Sequence, residues 1–333
     1  MGAPPVSSQA VPGGWDNAAG GWEPSGRASG LIVPDGYRDG EFQQVAAPVQ
    51  QQGVIISICA PKGGVGKSTV ALNLGAYFGR RLQGTGRTVC VVDANFQQAD
   101  SGKYLGKYTP NVTDLARTDG PLTTDAVGRQ LIHRPDLNLS VLLGPATPQE
   151  ASPHYINGTL YRSVSQVLRR MYSYIIVDTP VAELYHDIFD QFVLPESDFL
   201  VVTVAPNTAT LINTHLWLRT ICSPSPAGGR DFPESKVGIL LNRAEDNVGF
   251  DEDDVRDELP RYQFLGSIPE TTEWKRANNQ GQLVATQNYA DLNACFARVL
   301  YAATRDPVLE DALVAPERNN GGLLSRLRGR KRR

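Results

Sequence analysis

An α/β fold is what the amino-acid sequence predicts: a mostly parallel twisted sheet flanked by helices on both faces, forming a single domain over residues 53–305. Three observations carry that expectation. Apolar runs of strand length recur through this span, amphipathic stretches of helix length separate them, and the first run passes through a glycine-rich loop straight into the first helical stretch. Several runs are apolar throughout, which suits strands covered on both faces, as parallel strands are.

Taken in order, residues 54–60 form the first strand, and residues 67–82 follow the loop as an amphipathic helix. Residues 88–93 make a second buried strand ending in a carboxylate, and residues 137–143 a third. A helix over 159–172 then leads to a strand at 174–178, which also ends in aspartate. Strands at 199–205, 236–241 and 264–268 complete the set, with helices at 209–221 and 290–303.

The 333 residues are 41% hydrophobic, enough to bury a sizeable core. Cys59, Cys90, Cys222 and Cys295 show no paired spacing, so neither a disulfide framework nor a zinc site is expected. Met1 to Ala10 has neither a basic start nor an apolar run, and no stretch reaches the ~20 apolar residues of a spanning helix. A cytoplasmic protein is the expectation.

Composition sets off both ends. Residues 1–52 are rich in Gly, Pro, Ala, Ser and Gln and lack periodicity, the composition of a disordered arm; Trp15, Trp22 and Tyr37 leave open a docking motif within it. Residues 306–333 read as a polar linker and a basic amphipathic tail. The net charge is −3, yet residues 321–333 hold Arg326, Arg328, Arg330, Lys331, Arg332 and Arg333 and no acid. Three readings of the tail stay open: a solvated end, peripheral contact with an anionic membrane helped by Leu323, Leu324 and Leu327, and non-specific nucleic-acid contact.

The chemistry starts where the first strand ends. Lys62-Gly63-Gly64-Val65-Gly66-Lys67-Ser68-Thr69 brings three glycines between a strand and a helix, so backbone N–H groups can converge on a phosphate at a helix N-terminus. Lys67 is expected on the β/γ-phosphates and the Ser68 hydroxyl on Mg²⁺. Asp93 and Asp178 both follow buried strands downstream of that loop, where ligands of open α/β sheets gather, and are candidate metal-shell carboxylates. The acidic stretch from Asp251 to Glu258 lacks calcium-loop spacing and reads as a solvated helix face.

This loop, with Pro61 where a strict Walker A motif has glycine, resembles the deviant Walker A of the ParA/MinD ATPases. The resemblance covers about residues 53–305 and implies an ATP-dependent homodimer in which Lys62 reaches the partner's nucleotide. It further implies that Asn95 lies in the first switch, that Tyr174-Ile175-Ile176-Val177-Asp178-Thr179-Pro180 is the Walker B strand and second switch, and that Asn242 contacts adenine, with Arg243 and Pro269 beside the base. ATP and Mg²⁺ are the implied cofactors, and an activating or cargo protein the implied partner. One departure stands out: the family's first switch usually reads D-x-D, whereas this chain has Asp93-Ala94-Asn95. Asparagine cannot take a proton, so slow hydrolysis is expected, with Asp100 as an alternative carboxylate.

Within the family, the strand and proline-containing loop from Leu137 to Ala151, and the Gln97/Asp100 spacing, resemble the CpaE/TadZ-type pilus-assembly ATPases. That resemblance implies a role in positioning pilus or secretion machinery. DNA partition and a non-catalytic ATP-binding scaffold stay open beside it. A nitrogenase-iron-protein-like reductase would need exposed cluster cysteines, and a bacterial tyrosine kinase a terminal tyrosine cluster; neither pattern is present.

Overall fold

A computed structural model describes residues 52–313 except 97, 98, 119, 246, 247 and 288, and omits the side chains of 290 and 291. The readings made above for the N-terminal arm, the basic tail and Gln97 concern residues outside that description. No described helix is long and apolar enough to cross a membrane.

Eight strands form one sheet: β1 (Val54–Cys59), β2 (Val89–Asp93), β3 (Leu131–Arg134), β4 (Leu139–Leu142), β5 (Tyr174–Asp178), β6 (Phe199–Val204), β7 (Val237–Ala244) and β8 (Gln263–Pro269). Their order is β3-β4-β2-β5-β1-β6-β7-β8. Every pairing is parallel except β3 with β4. Around it run α1 (Lys67–Arg81), α2 (Ser101–Leu105), α3 (Val112–Ala116), α4 (Thr124–Gly128), α5 (Gly158–Met171), α6 (Leu194–Glu196), α7 (Thr208–Cys222), α8 (Glu252–Glu258), α9 (Thr272–Asn279), α10 (Ala290–Thr304) and α11 (Glu310–Leu313).

The uninterrupted apolar runs make sense because each strand feeds two cores. In β1, Ile55 and Cys59 pack into the core beneath α5, α7 and α8, while Ile56 and Ile58 pack into the one beneath α1 and α10. Each fully buried Ile, Leu or Phe in these layers contributes roughly 1.5–3 kcal/mol of transfer free energy. The α1 helix sits so close to the sheet that a Cβ on Gly75 would fall 2.3 Å from Val91 Cγ2 and one on Gly79 2.2 Å from the Leu137 carbonyl oxygen.

Two stretches differ from expectation. The strand expected from residue 137 starts at Leu139, because Pro135–Leu137 forms a single 3₁₀ turn and Asn138 takes φ +49°, folding β3 back onto β4 as an antiparallel edge. The four-residue edge strand has no extended pattern of its own to announce it. Packed structure also runs past Arg305: Leu309 is fully buried, and the buried Asp306 carboxylate accepts hydrogen bonds from Arg87 and Tyr174 Oη. The polar linker read from residue 306 therefore begins in a docked turn and α11, held by contacts that are distant in sequence. The acidic stretch forms α8, with Asp251 and Asp254 making a reciprocal capping box.

Candidate functional site

The glycine-rich loop lies at the C-terminal end of central β1, between β5 and β6. Gly64 and Gly66 have φ of +77° and +88°, a region costly for any residue with a Cβ. Gly66 is constrained twice over, since a Cβ there would lie 2.4 Å from Asn242 Nδ2. It is also the N-cap of α1, it supplies no side-chain cap, and the first turn of the helix holds no acid. The leading N–H groups of a 15-residue helix thus face the loop without side-chain competition, which is the electrostatic setting for an anion.

Lys62 and Lys67 occupy contrasting places. Lys67 is 6% exposed, and burial lowers its pKa while the charge of Asp178 opposes that shift. Lys62 is exposed on the rim, and its ammonium makes no ion pair or hydrogen bond with any described residue. Thr69 turns its hydroxyl toward Tyr104 Oη at 3.2 Å and Asn278 Oδ1 at 3.4 Å, so what it offers the loop is its backbone N–H.

Parallel pairing of β2 with β5 puts Asp93 directly beside Asp178, and both are fully buried. Asp93 is held by the N–H groups of Asn95 at 3.2 Å and Ser101 at 3.1 Å. Burial pushes its carboxyl up to about 7 despite those bonds. Among the described residues Asp178 has no well-aligned donor on either oxygen. Burial and the adjacent Asp93 charge raise it well above the carboxylate range, against the pull of the nearby Ser68 hydroxyl and Lys67. Two adjacent buried carboxylates, one of them with both oxygens unsatisfied among the described residues, next to a hydroxyl form an all-oxygen donor set, and a hard cation such as Mg²⁺ fits it.

The two loops leaving these aspartates are tied together. Ala94 N donates to the Asp178 carbonyl at 2.9 Å, and Ala182 N to the Ala60 carbonyl at 2.9 Å. Thr179 Oγ1 donates to the Ile58 carbonyl at 2.9 Å. A Cβ on Gly63 would sit 3.6 Å from Val181, so the glycine-rich loop and the loop after β5 are in contact range.

At the far side of the loop, β7 continues past the expected end at residue 241 and carries Asn242 and Arg243 inside the strand. A register shift at this point and φ +60° at Arg243 swing the Asn242 amide onto the loop, where Nδ2 donates to the Val65 carbonyl at 2.7 Å. Asn242 Oδ1 is buried with no partner among the described residues and is available to a donor. Pro269 pairs with Ala244 at the end of β8, and the next residue, Glu270, lies 3.8 Å from Arg243 Nε and 3.3 Å from Lys275 Nζ.

Tertiary packing brings in residues that sequence reasoning passed over. Ser101 and Tyr161 both grip Asp93, the second through a 3.0 Å bond from its hydroxyl to the Asp93 carbonyl. Gly144 leaves room for Asp93 and Ala99, whose atoms a Cβ would meet at 3.4 Å and 2.7 Å. Ser101 and Tyr161 sit in no local motif, so no signal in the sequence marks them, and Gly144 lies in the proline-containing loop without anything there to show its contact with Asp93. Asp100 is ion-paired with Lys103, and its charge acts with burial to raise both Asp93 and Asp178.

A model of the CobQ/CobB/MinD/ParA nucleotide binding domain matches residues 56–284. The septum site-determining protein MinD of Buchnera aphidicola is 23% identical over 232 residues, 68% of this chain and 82% of that protein. Among solved structures, a ParA family ATPase from Chlorobium tepidum superposes with TM-score 0.61 at 19% identity, covering 79% of this chain and 99% of its own. The septum site-determining MinD of Pyrococcus horikoshii, complexed with Mg-ADP, superposes with TM-score 0.56 at 20% identity, covering 78% and 98%.

Proposed function

Because this chain belongs to the CobQ/CobB/MinD/ParA nucleotide-binding family, we propose that it is an ATP-dependent dimerising switch that positions a cellular assembly, pilus or secretion machinery first among them. The observation that carries the proposal is the contrast between the two loop lysines: Lys67 is buried beside the aspartates, while Lys62 stands exposed on the rim with no described partner. A cation left unpaired at the mouth of a phosphate site is placed to serve a phosphate held by another subunit. Association then depends on the terminal phosphoryl group, and nucleotide state becomes assembly state.

In this reading the Gly63–Gly66 backbone, Lys67, Ser68 and Thr69 bind the phosphates. Asp93, Asp178 and Ser68 hold Mg²⁺, which neutralises phosphate charge when bound. Asn242, Arg243 and Pro269 flank the base. Asn95 orients water without accepting its proton, so hydrolysis is slow. That same residue supports the second reading, an ATP-binding scaffold with no turnover, and phosphate release in the presence of a partner separates the two. Pilus or secretion cargo rests on the resemblance of the loop after β4, which lies against the first switch through Gly144.

Sizing the protein with ATP, with ADP and without nucleotide tests the switch. Dimers specific to ATP are expected, weakened by Lys62→Ala with nucleotide affinity retained and by Lys67→Ala through lost affinity. A mass that ignores the γ-phosphate overturns the reading.

A further inference from the structure

Thr69 stands in the first turn of α1 and ends the glycine-rich motif, yet its hydroxyl is engaged elsewhere. Tyr104, on α2, donates its hydroxyl hydrogen to Asn278 Oδ1, on α9. The Thr69 hydroxyl lies 3.2 Å from that Tyr104 oxygen and 3.4 Å from the same Asn278 oxygen. With Tyr104 donating to the amide, the one hydrogen of Thr69 goes to one of these two oxygens, so neither hydroxyl keeps a hydrogen for a phosphate. What Thr69 retains is its backbone N–H, which belongs to the first helical turn and has no side-chain cap.

A second tether holds the same residue by its backbone. Asn73, fully buried one turn further along α1, donates Nδ2 to the Thr69 carbonyl at 2.8 Å and accepts the Ala285 N–H on Oδ1 at 2.9 Å. Asn278 and Ala285 lie in one stretch, α9 and the turn that follows it. The α2 side is anchored as well: the Ser101 N–H grips Asp93, and a Cβ on Gly281, just past α9, would fall 2.7 Å from the Lys103 carbonyl oxygen. A packing contact among α1, α2 and α9 would be served by Val, Phe and Leu at these positions, whereas a closed set of hydrogen bonds fixes direction as well as distance.

We propose that Tyr104 and Asn278 are positioning residues for the nucleotide: they hold the Thr69 side chain back so that its backbone N–H faces the phosphate chain in a direction set before any ligand arrives. Preorganised donors bind an anion more tightly because binding then costs no further ordering. The inference rests on the nucleotide site proposed above and adds to it two residues outside the glycine-rich motif, on elements remote from it in sequence.

Calorimetric titration of the full-length protein with Mg-ADP tests it, since ADP occupies the site without calling on dimerisation. Asn278→Ala and Thr69→Val should each weaken ADP binding about fivefold, and Tyr104→Phe about threefold, the effect of losing one oriented hydrogen bond. The double variant Thr69→Val/Asn278→Ala should be no weaker than about fivefold, because both changes open the same network, whereas independent losses multiply to about 25-fold. Thr69→Ser, which keeps the hydroxyl, should bind within about twofold of wild type. A cluster that serves only the fold lowers the melting temperature of these variants and leaves ADP affinity unchanged, and that result overturns the proposal. Losses that multiply overturn it too, because they make the Thr69 hydroxyl a phosphate ligand in its own right; so does tighter binding by Asn278→Ala, which would show the released hydroxyl reaching the phosphates. Wild-type protein that binds no Mg-ADP overturns the nucleotide site itself.

Discussion

Buried carboxylates stand at the two ends of β5 in opposite circumstances: Asp306, from the C-terminal turn, at its start and Asp178 at its end. At its start, Tyr174 donates to Asp306, which also receives Arg87 and the Val308 N–H, and those partners hold Asp306 below the ordinary range even though burial alone would raise it. At its end, Asp178 faces Asp93 with no aligned donor among the described residues, and burial and like charge hold it well above that range. The two ends of one strand thus meet a carboxylate whose needs the protein satisfies, Asp306 from the C-terminal turn, and one whose needs it leaves unmet, the strand's own Asp178. The first pins the C-terminal turn to the sheet. The second is free energy held in reserve for a cation, and a site that is unstable when empty binds its ligand with correspondingly larger consequence.

The sharpest way to break this contrast is to neutralise each end in turn. Asp178→Asn should abolish Mg²⁺-dependent nucleotide binding, with a loss of about 100-fold or more, yet raise the melting temperature of the nucleotide-free protein. Asp306→Asn should do the reverse, lowering stability by about 1–2 kcal/mol, since Arg87 can turn to solvent, while leaving nucleotide affinity unchanged. Calorimetric titration and thermal melts check both; parallel behaviour at the two ends would refute the distinction.

A smaller effect is read through pH. Asp93 and Asp178 are raised in the folded state, so they bind protons that the unfolded chain releases near pH 4. Their stabilising contribution is complete below about pH 4 and is lost as pH climbs through the folded value, about 7 for Asp93. Asp306 has the opposite sign: its contribution is present above about pH 4 and disappears as pH falls below its depressed value. Melts of nucleotide-free protein between pH 5 and pH 8 should therefore show declining stability, flattened by Asp178→Asn and unaffected by Asp306→Asn. The smallest change expected is kinetic. Asn95→Asp supplies a proton acceptor next to the pair, and single-turnover hydrolysis should quicken by roughly tenfold or more; a rate unchanged or lowered shows that Asn95 is not what limits the reaction.

Much of this was legible in the residues, and the reasons are local. Six of the eight strands, all but β3 and β8, are largely apolar runs buried on both faces, and such runs cannot be mistaken for solvent-facing ones. The glycine-rich loop is legible because strand, turn chemistry and helix start follow one another within a single segment. Asn242 was legible as a residue type, but its contact was not: a bulge and a left-handed Arg243 aim it at Val65, and both depend on how β7 meets β8. Edge strand β3 and the short helices are too brief for their periodicity to show.

What the sequence determined by itself is the sheet's buried strands, the phosphate loop and the identity of the two aspartates, because each depends on neighbours within a few positions. Tertiary structure alone decided that those aspartates lie side by side, that Ser101 and Tyr161 hold one of them while no described residue is well aligned to hold the other, and that His186 meets Phe96. Each of these turns on strand order and register, and segments tens of residues apart become neighbours only when the crossovers have placed β5 between β1 and β2.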